Sequence, residues 1–236
     1  MSRPYVTVVL AMSADGKIAD VARSPARFGS SSDKAHLERQ VAHADGVLFG
    51  AETLRAYGTT LPVTSPDLLA QREEQGKLQQ PIHIVCSASG QLDPTLKFFQ
   101  QGVPRWLITS ESGADLWQNQ DSFDRILIGS SSFEVDWHQA LQKLYAEGIE
   151  RLAVTGGGRL VAALFHLGAV DELWLTVCPR ILGGAIAPSP VGGDGFLEME
   201  APYLELLSAK TVDQEVFLHY RVVRSTQESA QNVEQR

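Results

Sequence analysis

Three consecutive glycines, Gly156, Gly157 and Gly158, mark the stretch of this sequence that offers the clearest chemistry. A short apolar segment precedes them, and an apolar run that ends near Gly168 follows. This order predicts a buried strand, a tight turn and a helix, which leaves backbone N–H groups unpaired at the positive end of the helix dipole. Such a helix start binds phosphate, and glycine lets the phosphate approach the backbone. A tight turn without a ligand fits the same residues about equally well, because glycine-rich turns are common.

A second group consists of Ser13, Asp15 and Lys17, directly after the apolar segment 5–12. That segment is typical of a central strand covered on both faces. A hydroxyl, a carboxylate and an ammonium group therefore follow the carboxyl end of a strand, where open α/β sheets bind ligands. Asp-Gly is also ordinary turn chemistry, and the local pattern alone favours a plain turn.

A third position of interest is Gly50, which ends the apolar segment 46–50 and precedes a predicted helix over 51–57. A glycine there lets another group lie against the backbone. Thr53 and Arg55 belong to the start of that helix, and ordinary helix surface is the alternative interpretation.

The elements that must position these residues alternate between strands and helices, which predicts an α/β three-layer sandwich with a mixed, mostly parallel sheet. A C-terminal antiparallel hairpin closes it. We expect one domain over 1–224 and a disordered polar tail over 225–236. The predicted strands are 5–12, 46–50, 82–86, 106–109, 125–128, 152–154 and 171–178, followed by the hairpin segments 203–212 and 214–223.

A helix is predicted from the capping residues 31–33 to about residue 43. His36 and His43 lie seven residues apart on it. No carboxylate or cysteine accompanies them in a metal-binding pattern, so we interpret them as a solvated helix face and predict no metal site.

Composition excludes several classes of protein. The net charge of −8 argues against a general nucleic-acid surface, and no apolar run of 18 residues predicts a membrane span. The first residues lack the pattern of a secretory signal. Cys86 and Cys178 lie in predicted strands without metal spacing, so we expect buried free thiols and a cytoplasmic protein. The long apolar strands near the C-terminus favour pairing between copies, and we expect a homodimer.

Four segments in order carry a family resemblance: 5–17 (YVTVVLAMSADGK), 45–55 (DGVLFGAETLR), 154–158 (VTGGG) and 170–184 (VDELWLTVCPRILGG). Together they resemble the reductase domain of riboflavin biosynthesis, which is the C-terminal half of bifunctional RibD and its stand-alone relatives. That family shares the dihydrofolate reductase-like fold. The resemblance spans roughly residues 4–223, and the H-x-E and P-C-x-x-C motifs of the deaminase half are absent from the sequence.

The resemblance implies an enzyme that uses NADPH to reduce a ribosylamino-pyrimidine 5′-phosphate to its ribitylamino form. Hydride would pass from the nicotinamide to C1 of the ribose, and the protein would align the two carbons. Two alternatives stay open at this point. One is a pterin, folate or other heteroaromatic reductase on the same fold, and the other is a non-catalytic dinucleotide-binding module.

Matching motifs imply roles for individual residues. The cofactor diphosphate would lie on the segment from Gly157 to Val161, after a cis peptide bond between Gly156 and Gly157. Ser87 would lie near the adenosine 2′-phosphate, and Ser13 near the substrate. Asp15 would orient a substrate hydroxyl, and Lys17 would neutralise a phosphate. The complete predicted cofactor set is Ala11, Phe28, Gly50, Thr53, Ser87, Gly156, Gly157, Gly158, Arg159, Leu160 and Val161, with Ala11, Phe28 and Thr53 lining the nicotinamide.

Two positions depart from the family pattern. The motif T-V-x-A-D-D-P has Tyr57 in place of its first aspartate, and E-G-G has Thr155 in place of its glutamate. Both would face the substrate, so the loss of two carboxylates predicts a changed substrate preference. Arg55 is predicted to bind a phosphate or carboxylate of the substrate.

Overall fold

The computed structural model describes residues 2–130 and 134–223, and within them nine strands form one sheet in the order β5-β4-β3-β2-β6-β1-β7-β9-β8. The predicted tail over 225–236 lies outside the described residues. The strands are β1 Tyr5–Ser13, β2 Gly46–Gly50, β3 Ile82–Cys86, β4 Arg105–Ser110, β5 Arg125–Ser130, β6 Arg151–Val154, β7 Glu172–Cys178, β8 Tyr203–Val212 and β9 Glu215–Val223. The helices are α1 Ser31–His43, α2 Ala51–Tyr57, α3 Pro66–Glu74, α4 Glu111–Asp115, α5 Trp137–Ala146 and α6 Gly158–His166. Two single 3₁₀ turns span Lys97–Gln100 and Glu198–Glu200.

Strands β1 to β7 pair in parallel, whereas β9 pairs antiparallel with both β7 and β8. The centre of the sheet is β2-β6-β1, with Leu48 opposite Val154 and Val8 opposite Val154 on the other side. This arrangement confirms the predicted mixed, mostly parallel sheet with a closing antiparallel hairpin.

Both faces of the sheet are covered, because neighbouring residues of one strand enter different core clusters. Leu48 packs in the cluster that contains the buried sides of α5 and α6. Val47 and Phe49 pack in the cluster that contains α1 and α2. Alternate side chains of a strand point to opposite faces, so an all-apolar strand such as GVLFG needs cover on both sides. The three-layer prediction is therefore confirmed.

Helix α1 begins where the hydroxyl of Ser30 accepts hydrogen bonds from the N–H groups of Ser32 and Asp33. The prediction that its histidines form a solvated face is wrong for His36, which is 7% exposed. The His36 ring lies 4.7 Å from the Trp174 ring, centre to centre, and burial lowers its pKa to about 4. His36 is thus a neutral core residue between helix and sheet at neutral pH.

Both cysteines are free, as predicted. Cys178 is buried and Cys86 is partly buried, and burial raises the pKa of each thiol to about 12. Neither thiol is therefore a ready nucleophile. Among the described helices, none has the length and apolar character that crossing a membrane requires.

Candidate active site

The carboxyl ends of four adjacent parallel strands, β3, β2, β6 and β1, meet along one edge of the sheet. The segments that the sequence predicts to be functional follow these four ends. Ser87 follows β3, Gly50 ends β2, Gly156 follows β6, and Ser13 ends β1. Ligands of open α/β sheets bind at this edge.

The turn between β6 and α6 is tied to the end of β2. Thr155 donates its N–H to the carbonyl of Leu48 at 3.0 Å, and Gly50 donates to the carbonyl of Gly156 at 2.9 Å. The peptide bond between Gly156 and Gly157 is cis, as the resemblance implies. The turn is consequently held in one place above the middle of the sheet.

Each of the three glycines has a different structural reason. Gly156 adopts φ of +112°, which L side chains rarely tolerate. A Cβ on Gly157 would lie 3.4 Å from the hydroxyl oxygen of Thr53. A Cβ on Gly158 would lie 2.4 Å from the carbonyl oxygen of Ser189, which no backbone atom tolerates. The loop over 179–196 packs against Gly158, which gives a structural reason for glycine at this position, and a contact of Gly158 with a phosphate stays a prediction.

The start of α6 retains free donors. The N-cap residue Gly157 has no side chain to cap the helix, and the N–H groups of Gly158, Arg159 and Leu160 have no partner among the described residues. Leu160 and Val161 bury their side chains in the core, so only their backbones are available to a ligand. Unpaired donors at the positive end of a nine-residue helix suit the diphosphate of a dinucleotide.

Charged side chains surround this helix start. Arg159 is exposed and lies 4.0 Å from a carboxylate oxygen of Glu52, whose other oxygen lies 3.0 Å from Arg23. Exposed pairs of this kind contribute little to stability. Both arginines are therefore available to a competing anion.

The turn after β1 is completed by the chain itself. Ser13 donates to Asp15 Oδ1 at 2.6 Å and accepts from the N–H of Lys17 at 2.9 Å. Ser13 is fully buried, and its hydroxyl shapes the turn. A contact of Ser13 with substrate stays a prediction.

Asp15 lies in the same turn and accepts two further hydrogen bonds, from the N–H groups of Leu182 at 3.0 Å and Gly183 at 2.6 Å. The Ser13 hydroxyl, followed by these two backbone donors, lowers the pKa of Asp15 to about 2. The carboxylate is ionised at neutral pH and anchors the loop after β7. This geometry favours an anchoring role, and a direct contact of Asp15 with substrate stays a prediction.

Lys17 is half-buried, and its Nζ lies 3.4 Å from the carbonyl oxygen of Ala187. That single long contact to a neutral group leaves its other donors for a ligand. Of the three polar residues in this turn, Lys17 is the one that remains available for the predicted phosphate contact.

The loop over 179–196 lies beside the candidate site, a position that sequence reasoning did not assign to it. It meets the β1 turn through Asp15, and its Gly192 donates to the carbonyl of Gly158 at 3.0 Å. Phe196 stacks on the ring of His166 of α6 at 4.0 Å. The loop thus borders the site from β1 to α6, and its length without regular structure is the signal that could have identified it.

Arg55 and Tyr57 of α2 each donate a hydrogen bond to a backbone carbonyl outside the helix. Arg55 donates to the carbonyl of Gln91 at 2.9 Å, in the loop after β3. Tyr57 donates to the carbonyl of Ala26 at 3.0 Å, and burial raises its pKa. The phenol therefore holds the segment before α1, and a contact of Tyr57 with substrate stays a prediction.

The remaining predicted site residues differ in how far they are exposed to solvent. Ala11, Phe28, Thr53 and Thr155 are half-buried. Ser87 is 5% exposed, and its N–H donates to the carbonyl of Ile108 at 3.0 Å. Their contacts with a cofactor or substrate stay predictions.

A buried polar cluster beside β7 also escaped sequence reasoning. Glu215 is 3% exposed, and both the N–H and the hydroxyl of Ser30 donate to its carboxylate. Burial raises the pKa of the neighbouring Asp33, which bonds to the Thr176 hydroxyl. No spacing along the chain brings together residues of α1, β7 and β9. Among the described residues, no cluster of three metal-ligating side chains occurs here or elsewhere.

The fold is an α/β fold of the dihydrofolate reductase type. Dihydrofolate reductase from Enterococcus faecalis, whose structure contains NADP(H), superimposes with a TM-score of 0.53 at 14% identity, over 93% of this chain and 97% of that one. A pyrimidine reductase-like protein from Corynebacterium diphtheriae gives a TM-score of 0.79 at 22% identity, over 94% and 93% of the two chains.

The chain belongs to the RibD C-terminal domain family, whose model matches residues 4–218. It is 28% identical over 226 residues to a 2,5-diamino-6-ribosylamino-4(3H)-pyrimidinone 5′-phosphate reductase from Methanothermobacter thermautotrophicus, which covers 93% of this chain and 99% of the relative. The family that the four sequence segments indicate is therefore confirmed.

Proposed function

We propose that this chain is an NADPH-dependent reductase that converts a ribosylamino-pyrimidine 5′-phosphate to the ribitylamino form. The main support is the start of α6, which lies at the carboxyl edge of the sheet. Three of its N–H groups are unpaired, and its N-cap residue is a glycine without a capping side chain. A reductase named for this reaction aligns with 93% of this chain, which supports the same reaction here.

In this proposal each group of residues has a role that follows from its position at the sheet edge. The backbone from Gly157 to Leu160 holds the diphosphate, and Thr53 and Ala11 border the nicotinamide, which supplies a hydride when bound. Lys17, at the end of β1, neutralises the substrate phosphate. Asp15 keeps the loop over 179–196 closed against this end and takes no proton, because its pKa is about 2.

A second candidate rests on Tyr57 and Thr155, which stand where the family has carboxylates. The Tyr57 hydroxyl donates its proton to the carbonyl of Ala26, and a phenol is not an acceptor equivalent to a carboxylate. A site that lacks buried acceptors discriminates less against substrates without the matching donors. A related heteroaromatic reductase is therefore the alternative.

The test is single-turnover oxidation of NADPH, followed by its absorbance, with either the ribosylamino-pyrimidine 5′-phosphate or dihydrofolate as substrate. We expect turnover with the first and none with the second. Turnover only with dihydrofolate would support the alternative, and NADPH binding without turnover of either would support a binding module.

We propose in addition a homodimer in the reducing cytoplasm, where both thiols stay free. Strand β8 forms an edge of the sheet, and its Tyr203 and Leu206 side chains are 73% and 54% exposed. An exposed edge with apolar residues favours pairing with a second copy. Sedimentation should show a dimer, and Leu206→Lys should shift it toward monomer. A wild-type monomer at every concentration would exclude this interface.

A further inference from the structure

Tyr57, the last residue of α2, connects this helix to the segment that precedes α1. Its hydroxyl donates to the carbonyl of Ala26 at 3.0 Å, and burial raises the pKa of the phenol, so the proton is present at neutral pH. The family motif has an aspartate at this position, and an ionised carboxylate has no proton to donate to a carbonyl. The hydrogen bond between Tyr57 and Ala26 is therefore a feature of this chain that the family motif does not predict.

The segment over residues 20–30 contains neither helix nor strand, so few hydrogen bonds hold it. Its first residues form a turn of their own, and its last residue, Ser30, bonds to Glu215. Among the described residues, the backbone over 25–29 forms a single hydrogen bond, which is the one that Ala26 accepts. The phenol thus supplies the hydrogen bond in the middle of the segment.

The face of α2 that carries Tyr57 also borders the candidate site. Thr53 and Tyr57 lie four residues apart, so they share one helix face with Cβ atoms about 5–6 Å apart. On that face, a Cβ on Gly157 would lie 3.4 Å from the Thr53 hydroxyl oxygen. Tyr57 therefore holds the segment about one helical turn from Thr53, the residue that we expect beside the nicotinamide. Phe28, which follows Ala26 by two residues, is expected there as well.

Phe28 lies between two points at which the segment is held. On one side, Ala26 is bonded to α2 through Tyr57. On the other side, the chain passes close to the first turn of α1, because a Cβ on Gly29 would overlap the carboxylate of Asp33. Both helices contribute to one core cluster and so cover the same face of the sheet. Loss of the bond to Tyr57 would free Phe28 from one of its two supports.

We propose that Tyr57 is a positioning residue, whose hydrogen bond to Ala26 holds Phe28 in place beside the nicotinamide. The inference rests on the proposed function, because it requires a nicotinamide at this end of the site. Alignment of the two reacting carbons contributes to the rate of hydride transfer more than to the affinity for the cofactor. A direct contact of Tyr57 with substrate is the competing prediction, and the test separates the two.

The first measurement detects the hydrogen bond without any ligand. Arg23 and Arg27 provide two trypsin cleavage sites in the segment, one on either side of Ala26, and both side chains are exposed. Tyr57→Phe removes the hydroxyl and keeps the ring. Cleavage after the two arginines should therefore accelerate by about threefold to tenfold, the effect of one lost hydrogen bond on local opening.

Two controls accompany the digest. Cleavage after Arg180, an exposed residue in the loop over 179–196, should keep its rate in the same sample and show that the variant is folded. Tyr145→Phe on α5 is the matched control variant, because Tyr145 and Tyr57 are 39% and 41% exposed. It should leave cleavage after Arg23 and Arg27 unchanged.

The second measurement separates the nicotinamide end of the cofactor from the rest. Single-turnover oxidation of NADPH by the ribosylamino-pyrimidine 5′-phosphate should be about tenfold slower in Tyr57→Phe, because the reacting carbons are less well aligned. Affinity for 2′,5′-ADP, which lacks the nicotinamide, should change by less than about twofold in titration calorimetry. A general disturbance of the site would weaken 2′,5′-ADP binding as well and would overturn the inference.

Three further outcomes would also overturn it. Unchanged cleavage after Arg23 and Arg27 in Tyr57→Phe would show that the hydrogen bond does not hold the segment, and faster cleavage with an unchanged turnover rate would show that it does not serve hydride transfer. Tyr57→Asp restores the family residue, and turnover above that of wild type in this variant would assign the position to direct substrate contact. A wild-type protein that binds no NADPH would overturn the proposed function and this inference with it, and the protease comparison distinguishes that result from the absence of the hydrogen bond.

Discussion

Two turns at the same edge of the sheet differ in what completes them. In the turn after β1, the chain itself supplies the hydrogen-bond partners of Ser13 and Asp15. Two of them are backbone N–H groups that lie 167 and 168 residues from Asp15 along the sequence. In the turn after β6, the helix start keeps its donors unpaired. The polar residues Ser13 and Asp15 thus form part of the wall of the site, while the glycine turn after β6 leaves space for a ligand.

The difference has an electrostatic origin. Ionised Asp15 needs several donors, and the chain supplies Ser13, Leu182 and Gly183. The start of α6 needs an acceptor, and the chain supplies no capping side chain. Unpaired N–H groups at a helix start are costly when they are shielded from water. A helix start at the edge of a site, without a capping side chain, is therefore suited to bind a ligand.

The largest expected effect is a loss of NADPH affinity when a side chain fills the glycine turn after β6. Gly157→Leu should weaken NADPH binding by at least about a hundredfold, because its Cβ already meets the Thr53 hydroxyl at 3.4 Å and the remaining atoms occupy the space over the helix start. Calorimetric titration measures the loss, and thermal unfolding shows whether the fold persists.

Gly102→Leu is the matched control, since a Cβ there meets no atom within 4 Å. It should leave NADPH affinity unchanged. Unchanged affinity in Gly157→Leu as well would contradict the assignment of the diphosphate to this turn.

The neighbouring glycine sharpens the comparison. Gly158→Ala should lower the free energy of unfolding by about 1–3 kcal/mol, the usual cost of overpacking, because its Cβ would lie 2.4 Å from the Ser189 carbonyl oxygen. Urea unfolding measures this. Full stability combined with lost NADPH binding would mean that Gly158 is small for the ligand and not for the loop.

Two hydroxyls, Ser13 in the turn after β1 and Thr53 of α2 beside the turn after β6, form a further pair. Ser13→Ala removes a fully buried group with two hydrogen bonds and should cost about 1–2 kcal/mol of unfolding free energy. Thr53→Ala removes a half-buried hydroxyl with no partner among the described residues, so its stability should change by less than about 0.5 kcal/mol. If both variants lost the same free energy of unfolding in urea, the turn after β1 would not differ from the turn after β6 in how fully its groups are bonded.

Much of the fold was predictable because its signals are local. The bounds of β2 and β3 agree with the predicted segments 46–50 and 82–86, since continuous apolar runs between glycine or polar breaks identify buried strands. The glycine turn was predictable for the same reason. The fold class follows from the alternation of such segments.

What the sequence could not predict depends on contacts between distant segments. The partners of Asp15 lie in a loop after β7, and no local pattern pairs them. His36 seemed solvated because its helix is polar, whereas Trp174 and Phe217 of the sheet enclose it.

The smallest expected effect is the acid sensitivity of the completed turn. The pKa of Asp15 falls from 3.8 to about 2 in the folded protein, so its contribution to stability is present above about pH 4 and is lost as the pH falls toward 2. Asp15→Asn should therefore be less stable than wild type near neutral pH, and the difference should shrink over that acid range. Urea midpoints measured between about pH 2 and 6 test this, because other carboxylates titrate equally in both proteins and cancel in the difference. A difference that stays constant with pH would mean that the ionised carboxylate does not anchor the loop, and the turn after β1 would then be as open to a ligand as the turn after β6.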